Sequence, residues 1–298
     1  MKMNSYMALA LAAVMIIAAT GCIKEVVHGG VPFEDAKVET VRVRVIDIAY
    51  RSFGDGPPLV MIMGFSGTMD LWSPVVLQAL AGKRRVIIFD NRGMGLSTDA
   101  PGDYTLLDLA DDTAGLMTAL GIERADVLGF SMGADVAKGF AVRYPAKVAR
   151  LVLYAASRGG PDDVPPTPEN LKKITDPSGT PQERGRRLIS TLFPAQWLKD
   201  HPDPRAYFPI PKEHSAAASM KKQEKAMSTP METDGRLQTI ACPVLLITGD
   251  EDVLTPPQNS ELLAKVIPGA KLVKMAGGHG IMYQDPEAFS RAVLEFLK

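Results

Sequence analysis

Short, almost uninterrupted apolar runs recur along the chain, and helix-spaced stretches lie between them. The runs cover 59–63, 85–89, 125–128, 148–154, 244–248 and 270–275. Strands buried on both faces read this way in parallel sheets. The intervening helical stretches are 71–80, 106–120, 132–144, 257–266 and 286–297. Two further strands open the series. Val41, Val43 and Val45 alternate with Arg42 and Arg44, the period of a half-exposed strand, and 46–53 precedes the turn Gly54-Asp55-Gly56-Pro57-Pro58. Two starting strands and repeated strand–helix units predict an α/β fold, an eight-stranded, mostly parallel sheet with helices on both faces.

The alternation breaks between 158 and 238. This stretch holds twelve of the 23 prolines and no convincing strand, but it carries amphipathic pieces at 183–192 and 213–227. Leu192, Phe193, Trp197, Leu198, Tyr207 and Phe208 need something to pack on. We read it as a small helical cap inserted into the sheet domain. Because the strand pattern resumes after it, both flanks must return to one sheet.

Composition narrows the function. With 33 Lys+Arg against 34 Asp+Glu, the chain lacks the basic excess expected of a nucleic-acid binder. Two cysteines cannot form a disulfide scaffold or a multi-cysteine metal site, and the four histidines are scattered, so no metal or cofactor is expected. The N-terminus differs from the rest. Lys2 precedes an uncharged apolar run at 7–19, the length of a signal-peptide core and short for a spanning helix. It ends in Ala19-Thr20-Gly21-Cys22, which resembles a bacterial lipobox. The expectation is a signal peptide at 1–21, lipidation of Cys22, a tether over 22–38, and a folded domain over 39–298 held outside the cytoplasm on a membrane. Cys242, before Pro243 and a buried-looking strand, reads as core.

The chemistry is written at Gly129-Phe130-Ser131-Met132-Gly133, a G-x-S-x-G sequence joining a strand to a helix. Glycines on either side leave room for a sharp turn that pushes the serine Oγ clear of the backbone. The serine also stands at a helix N-terminus, where free N–H groups favour developing negative charge.

With that context the chain resembles the α/β-hydrolase fold superfamily over residues 40–298. Asp90-Asn91-Arg92-Gly93-Met94-Gly95-Leu96-Ser97 resembles the D-x-R-G-x-G-x-S segment. Gly249-Asp250-Glu251-Asp252 and Gly277-Gly278-His279-Gly280 resemble the segments carrying the acid and the histidine, in the order Ser…Asp…His. The resemblance implies Ser131 as nucleophile. Its base must be an imidazole, whose ordinary pKa of about 6.5 lets it accept and return a proton near neutrality. His28 lies in the tether, and His201 and His214 lie in the insertion. That leaves His279, on a glycine-flanked loop after a core strand. The family spacing selects Asp252 as the acid, with Asp250 the alternative. The second family position for the acid holds Ser157. The oxyanion hole should use the backbone N–H of Met132 and, by resemblance, of Phe65. Here the chain departs from the family, with Met63 where histidine is usual. Asp90 and Arg92 read as loop-bracing residues.

Trp72, Phe130, Leu254 and Met282 are candidate pocket residues that would suit an apolar acyl or alkyl group. Phe65, Met132, Ile281, and Trp197 or Phe208 from the insertion extend that lining. The expected activity is hydrolysis of a carboxylic ester or related small acyl substrate through an acyl-enzyme. The Phe130–Gly133 elbow also resembles that of cofactor-free haloperoxidases and perhydrolases. C–C-bond hydrolase, lactonase and aminopeptidase activities use the same machinery, whereas an Asp-nucleophile dehalogenase or epoxide hydrolase is disfavoured by Ser131. A non-catalytic binding module would be expected to have lost a triad member.

Overall fold

The computed structural model describes residues 36–176 and 178–298. The signal peptide, Cys22 and almost all of the tether expected from the sequence lie outside these residues. Among the described residues, no helix is long and apolar enough to cross a membrane.

Eight strands form one sheet in the order β1-β2-β4-β3-β5-β6-β7-β8. They are β1 (Glu39–Val43), β2 (Ile46–Phe53), β3 (Pro58–Ile62), β4 (Arg85–Phe89), β5 (Ala125–Phe130), β6 (Val148–Tyr154), β7 (Val244–Gly249) and β8 (Lys271–Met275). The β1–β2 and β2–β4 pairs are antiparallel, and every later pairing is parallel. Strands β5 and β7 are buried along their whole length, as their mostly apolar sequences require, and the one charge in them, Asp126 of β5, is paired with Arg84 and Arg150.

Helices cover both faces. On one lie α1 (Pro74–Ala81) and the C-terminal helix, whose Val76, Leu77, Leu80, Phe289 and Val293 pack with Met61, Ile88 and Leu128 of the sheet. On the other lie α2 (Leu106–Ala119) and α3 (Met132–Arg143), whose Leu109, Leu116, Val136 and Phe140 pack with Val60, Ile87 and Val127. Thr105 and Asp108 close a capping box at the start of α2, satisfying two orphan N–H groups. The helix expected over 71–80 begins later. Met69–Leu71 is a separate 3-10 turn, and α1 starts at Pro74 behind the extended Ser73. Proline pre-sets the first helical φ while biasing the residue before it away from helix.

The interrupted region is helical. It contains α4 (Pro168–Thr175), α5 (Pro181–Leu192), α6 (Ala195–Asp200) and α7 (Ala217–Met227), joined by proline-rich connections. Its aromatic residues do find partners. Phe193 stacks on Trp197 with centroids 4.9 Å apart and meets Tyr207 edge-on at 5.1 Å. After β7 come α8 (Gln258–Val266), β8, α9 (Ile281–Gln284) and α10 (Pro286–Phe296).

Candidate active site

The C-terminal ends of β3, β5, β7 and β8 gather the candidate residues at one edge of the sheet. At the end of β5 the chain turns directly into α3 through Ser131, whose φ of 55° lies in the left-handed region. A non-glycine residue is held there only at a cost. The turn is possible because its glycines leave no room for a side chain. A Cβ on Gly129 would stand 2.2 Å from the Gly133 carbonyl oxygen, and one on Gly133 would stand 2.1 Å from the Ile62 carbonyl oxygen. The Ser131 N–H donates to the Tyr154 carbonyl oxygen at 2.9 Å, which anchors the turn to β6. Its hydroxyl does not cap the helix it opens.

The loops after β7 and β8 are laced together. The Glu251 N–H donates to the Gly277 carbonyl oxygen at 2.9 Å, and the Gly277 N–H donates to Asp250 Oδ1 at 3.0 Å. This brings Asp252 and His279, both 3% exposed, face to face, with Nδ1 of the imidazole 2.8 Å from Asp252 Oδ2. The other carboxylate oxygen accepts the N–H groups of Leu254 at 2.9 Å and Thr255 at 2.8 Å. Asp252 therefore has both oxygens committed and can orient one imidazole tautomer. Asp250, the alternative acid, braces the histidine loop through backbone and does not meet the ring. Ser157 donates to Asp135 Oδ1 at 2.8 Å instead.

Ser131 and His279 are joined through Phe130, whose ring centroid lies 5.1 Å from the imidazole and 4.6 Å from Tyr154. The hydrogen bonds of His279 do not include one to Ser131. Such bonds are often long before substrate arrives. Met132 is the first residue of α3, so its N–H has no intrahelical partner. Phe65 follows β3 in the turn closed by the Gly67 N–H to the Gly64 carbonyl oxygen, 3.2 Å, and its own N–H donates to no described backbone group. A Cβ on Gly64 would come within 3.3 Å of the Ser131 Cβ, so this turn lies directly against the serine. Two free N–H groups beside a serine can stabilise an oxyanion.

The other candidate lining residues divide. Phe130 touches His279, Tyr154 and Trp72, the last at 6.3 Å. Trp72 and Met282 are fully buried in the core on the α1 side. Leu254 is half-buried in the Asp252 turn. Asp90 and Arg92 brace loops, as expected. Asp90 accepts the N–H of Met69 at 2.7 Å and of Leu96 at 2.9 Å, and Arg92 forms a paired bond to Asp112, 2.6 Å on each arm. Burial pushes the Asp90 carboxyl up to about 6 against the pull of those two amides.

Two contributors escaped the sequence reading. The Tyr154 hydroxyl donates to the His279 carbonyl oxygen and accepts from the Met282 N–H, so it holds the histidine loop from below. Burial keeps that phenol well above its usual range, so it stays a donor. From above, the Gly280 N–H donates to the Leu192 carbonyl oxygen at 2.9 Å, tying the same loop to the cap. The only signal for Tyr154 was its place at the C-terminal end of a buried parallel strand, where sites of open α/β sheets form.

Comparison with known proteins agrees with this architecture. A family model described as alpha/beta hydrolase fold matches residues 57–194, and one described as TAP-like protein matches residues 215–298. A Caulobacter sp. (strain K31) protein named "Putative carbamate hydrolase RutD" is 31% identical over 85% of this chain and 96% of its own length. The chain belongs to the α/β-hydrolase fold family. A Mycobacterium tuberculosis protein named "Putative non-heme bromoperoxidase BpoC" is 32% identical over 85% of this chain and 98% of its own length. The crystal structure of a hydrolase from Pseudomonas aeruginosa PA01 is 28% identical with a TM-score of 0.73, covering 88% of this chain and 99% of that one. This α/β-hydrolase is an enzyme of hydrolytic type.

Proposed function

We propose that the enzyme hydrolyses a carboxylic ester or closely related small acyl substrate through Ser131, His279 and Asp252. The observation that carries the reading is the buried 2.8 Å contact between His279 Nδ1 and Asp252 Oδ2, on loops converging beside the strained Ser131 turn. In the first step His279 Nε2 takes the Ser131 hydroxyl proton while Oγ attacks the carbonyl carbon. The oxyanion of the tetrahedral intermediate accepts from the N–H groups of Phe65 and Met132. Its collapse breaks the bond to the alkoxide, which leaves with the proton from His279. A water, deprotonated by His279, then attacks the acyl-enzyme, and collapse of the second intermediate returns the proton to Ser131 and releases the acid. Asp252 keeps the imidazole in one tautomer and stabilises its cation. Phe130 and Leu254 form the apolar side of the substrate pocket, and the buried Trp72 and Met282 back it from the core. Carbamates, named for the RutD relatives, present the same carbonyl to the same machinery. Ser131→Ala should abolish turnover of p-nitrophenyl esters, and undiminished turnover would sink the assignment.

A second reading follows from the bromoperoxidase-named relative. Peroxide would replace water as acceptor of the acyl group, giving a peracid from the same acyl-enzyme. Measuring peracetic acid formation from acetate and peroxide separates the two.

For the whole chain we propose an exported lipoprotein, with residues 1–21 removed, Cys22 lipidated and 22–38 tethering the domain of 39–298 with its cap at about 158–238. The support is the charge-free apolar run and the Ala19-Thr20-Gly21-Cys22 motif. Cys22→Ala should release the protein from the membrane fraction, and a variant that stays membrane-bound contradicts lipid anchoring.

A further inference from the structure

The cap reaches the turn that holds Phe65. Helix α7 is fixed over the 90–100 loop by Lys222, whose Nζ lies 2.8 Å from Asp99 Oδ2, and by Met220 packed on Met94. From the middle of this helix Gln223, fully buried, points its amide oxygen at the Ser66 N–H, 2.5 Å away. Ser66 is itself buried and left-handed, with φ of 57°. It is the third residue of the Gly64–Gly67 turn and follows Phe65 directly.

A serine at positive φ relaxes to the right-handed region unless something holds it. If Ser66 relaxed, the 65–66 peptide would turn about the φ of Ser66 and the ψ of Phe65, and the Phe65 backbone, whose N–H lies in the adjoining 64–65 peptide, would have to readjust in this tight turn. The Gln223 oxygen opposes that rotation by accepting the N–H only in its present direction. The Nε2 end of the same amide is buried with no acceptor among the described residues. An apolar side chain of the same shape would avoid that unmet donor, so packing alone does not account for glutamine here.

We propose that Gln223 is a positioning residue of the oxyanion hole. Its side chain locks Ser66 in the left-handed conformation and so keeps the Phe65 N–H directed at the carbonyl oxygen beside Ser131. The cap thereby completes the catalytic constellation as well as covering it. This inference rests on the serine-hydrolase reading.

The test uses the purified full chain and p-nitrophenyl butyrate. Gln223→Met should lower kcat about 10- to 100-fold, below the range of about 10²–10³ for outright loss of a donor, with KM changed less than about two-fold. Glycine adopts positive φ without strain, so adding Ser66→Gly to Gln223→Met should bring kcat back to within about three-fold of Ser66→Gly alone. A glutamine that served only to seat the cap would not be rescued by a glycine in another loop. Gln223→Ala takes the place of Gln223→Met in the comparison if the methionine variant does not fold. An unchanged kcat, or a loss that Ser66→Gly leaves in place, overturns the proposal. Ser131→Ala run in parallel separates the two readings. Turnover surviving in that variant refutes the serine mechanism itself, whereas turnover lost there but intact in Gln223→Met refutes only the role of Gln223.

Discussion

Asp252 and Asp250 are two residues apart and chemically alike, yet their surroundings assign them different work. Asp252 is buried, with one oxygen on His279 and the other on two amides, while Asp250 is exposed and holds Gly277. Asp252→Asn keeps the shape but presents the wrong partner to the imidazole, and should lower kcat by about 10³–10⁴. Asp250→Asn should cost less than about ten-fold. Steady-state kinetics on one ester compares them, and equal losses would contradict the assignment. The sequence singled out Ser131 and His279 because nucleophile turns and glycine-flanked histidines carry local patterns. It left two carboxylates open because which of them faces the ring depends on how the 249–252 and 277–280 loops cross, a contact between distant segments. Gln223 and Tyr154 were illegible for the same reason: each acts through long-range bonds to backbone.

At the scale of elements, the loop after β4 carries a titration that stability should report. Burial raises the Asp90 carboxyl from 3.8 to about 6. The folded state thus binds its proton more tightly than the unfolded chain. The contribution is fully present below about pH 3.8 and is lost as pH rises through about 6, a change of about 3 kcal/mol. Asp90→Asn should remove this slope, so between pH 4 and 7 the parent should lose most of that amount in urea unfolding relative to the variant. Parallel stability curves would contradict it. A second device joins α3 to the cap. Lys138 is fully buried, 3.4 Å from Asp135 and 3.2 Å from Asp234, and also donates to the carbonyl oxygens of Ser157 and Arg158. It clamps the chain where the cap leaves β6 and where it returns. Lys138→Met strands two carboxylates only 13% and 12% exposed and should cost about 3–5 kcal/mol in urea unfolding. A loss under about 1 kcal/mol would show that the clamp is dispensable. Most strands and helices were legible to within a residue or two, because their apolar spacing and caps are local. The helix expected over 71–80 was not, because Pro74 resets its start.

At the scale of the molecule, the sheet supplies the frame and the cap supplies the fit. Strand order and the run of parallel pairings bring the ends of β3, β5, β7 and β8 together, so residues separated by up to 215 positions, from Gly64 to His279, share one site. The cap then touches that site twice, at Gly280 through Leu192 and at Ser66 through Gln223. Its helices were partly readable from amphipathic spacing, but its seat on the sheet was not, since no local pattern encodes where an insertion docks.

The central claim is that a covalent acyl group passes through Ser131. Trapping answers it most directly: the purified enzyme is treated with a fluorophosphonate, digested, and the modified peptide identified by mass. The account predicts a single adduct on Ser131, absent from Ser131→Ala and formed far more slowly in His279→Ala. An adduct on another residue, or ester turnover that persists after Ser131 is blocked, would contradict it.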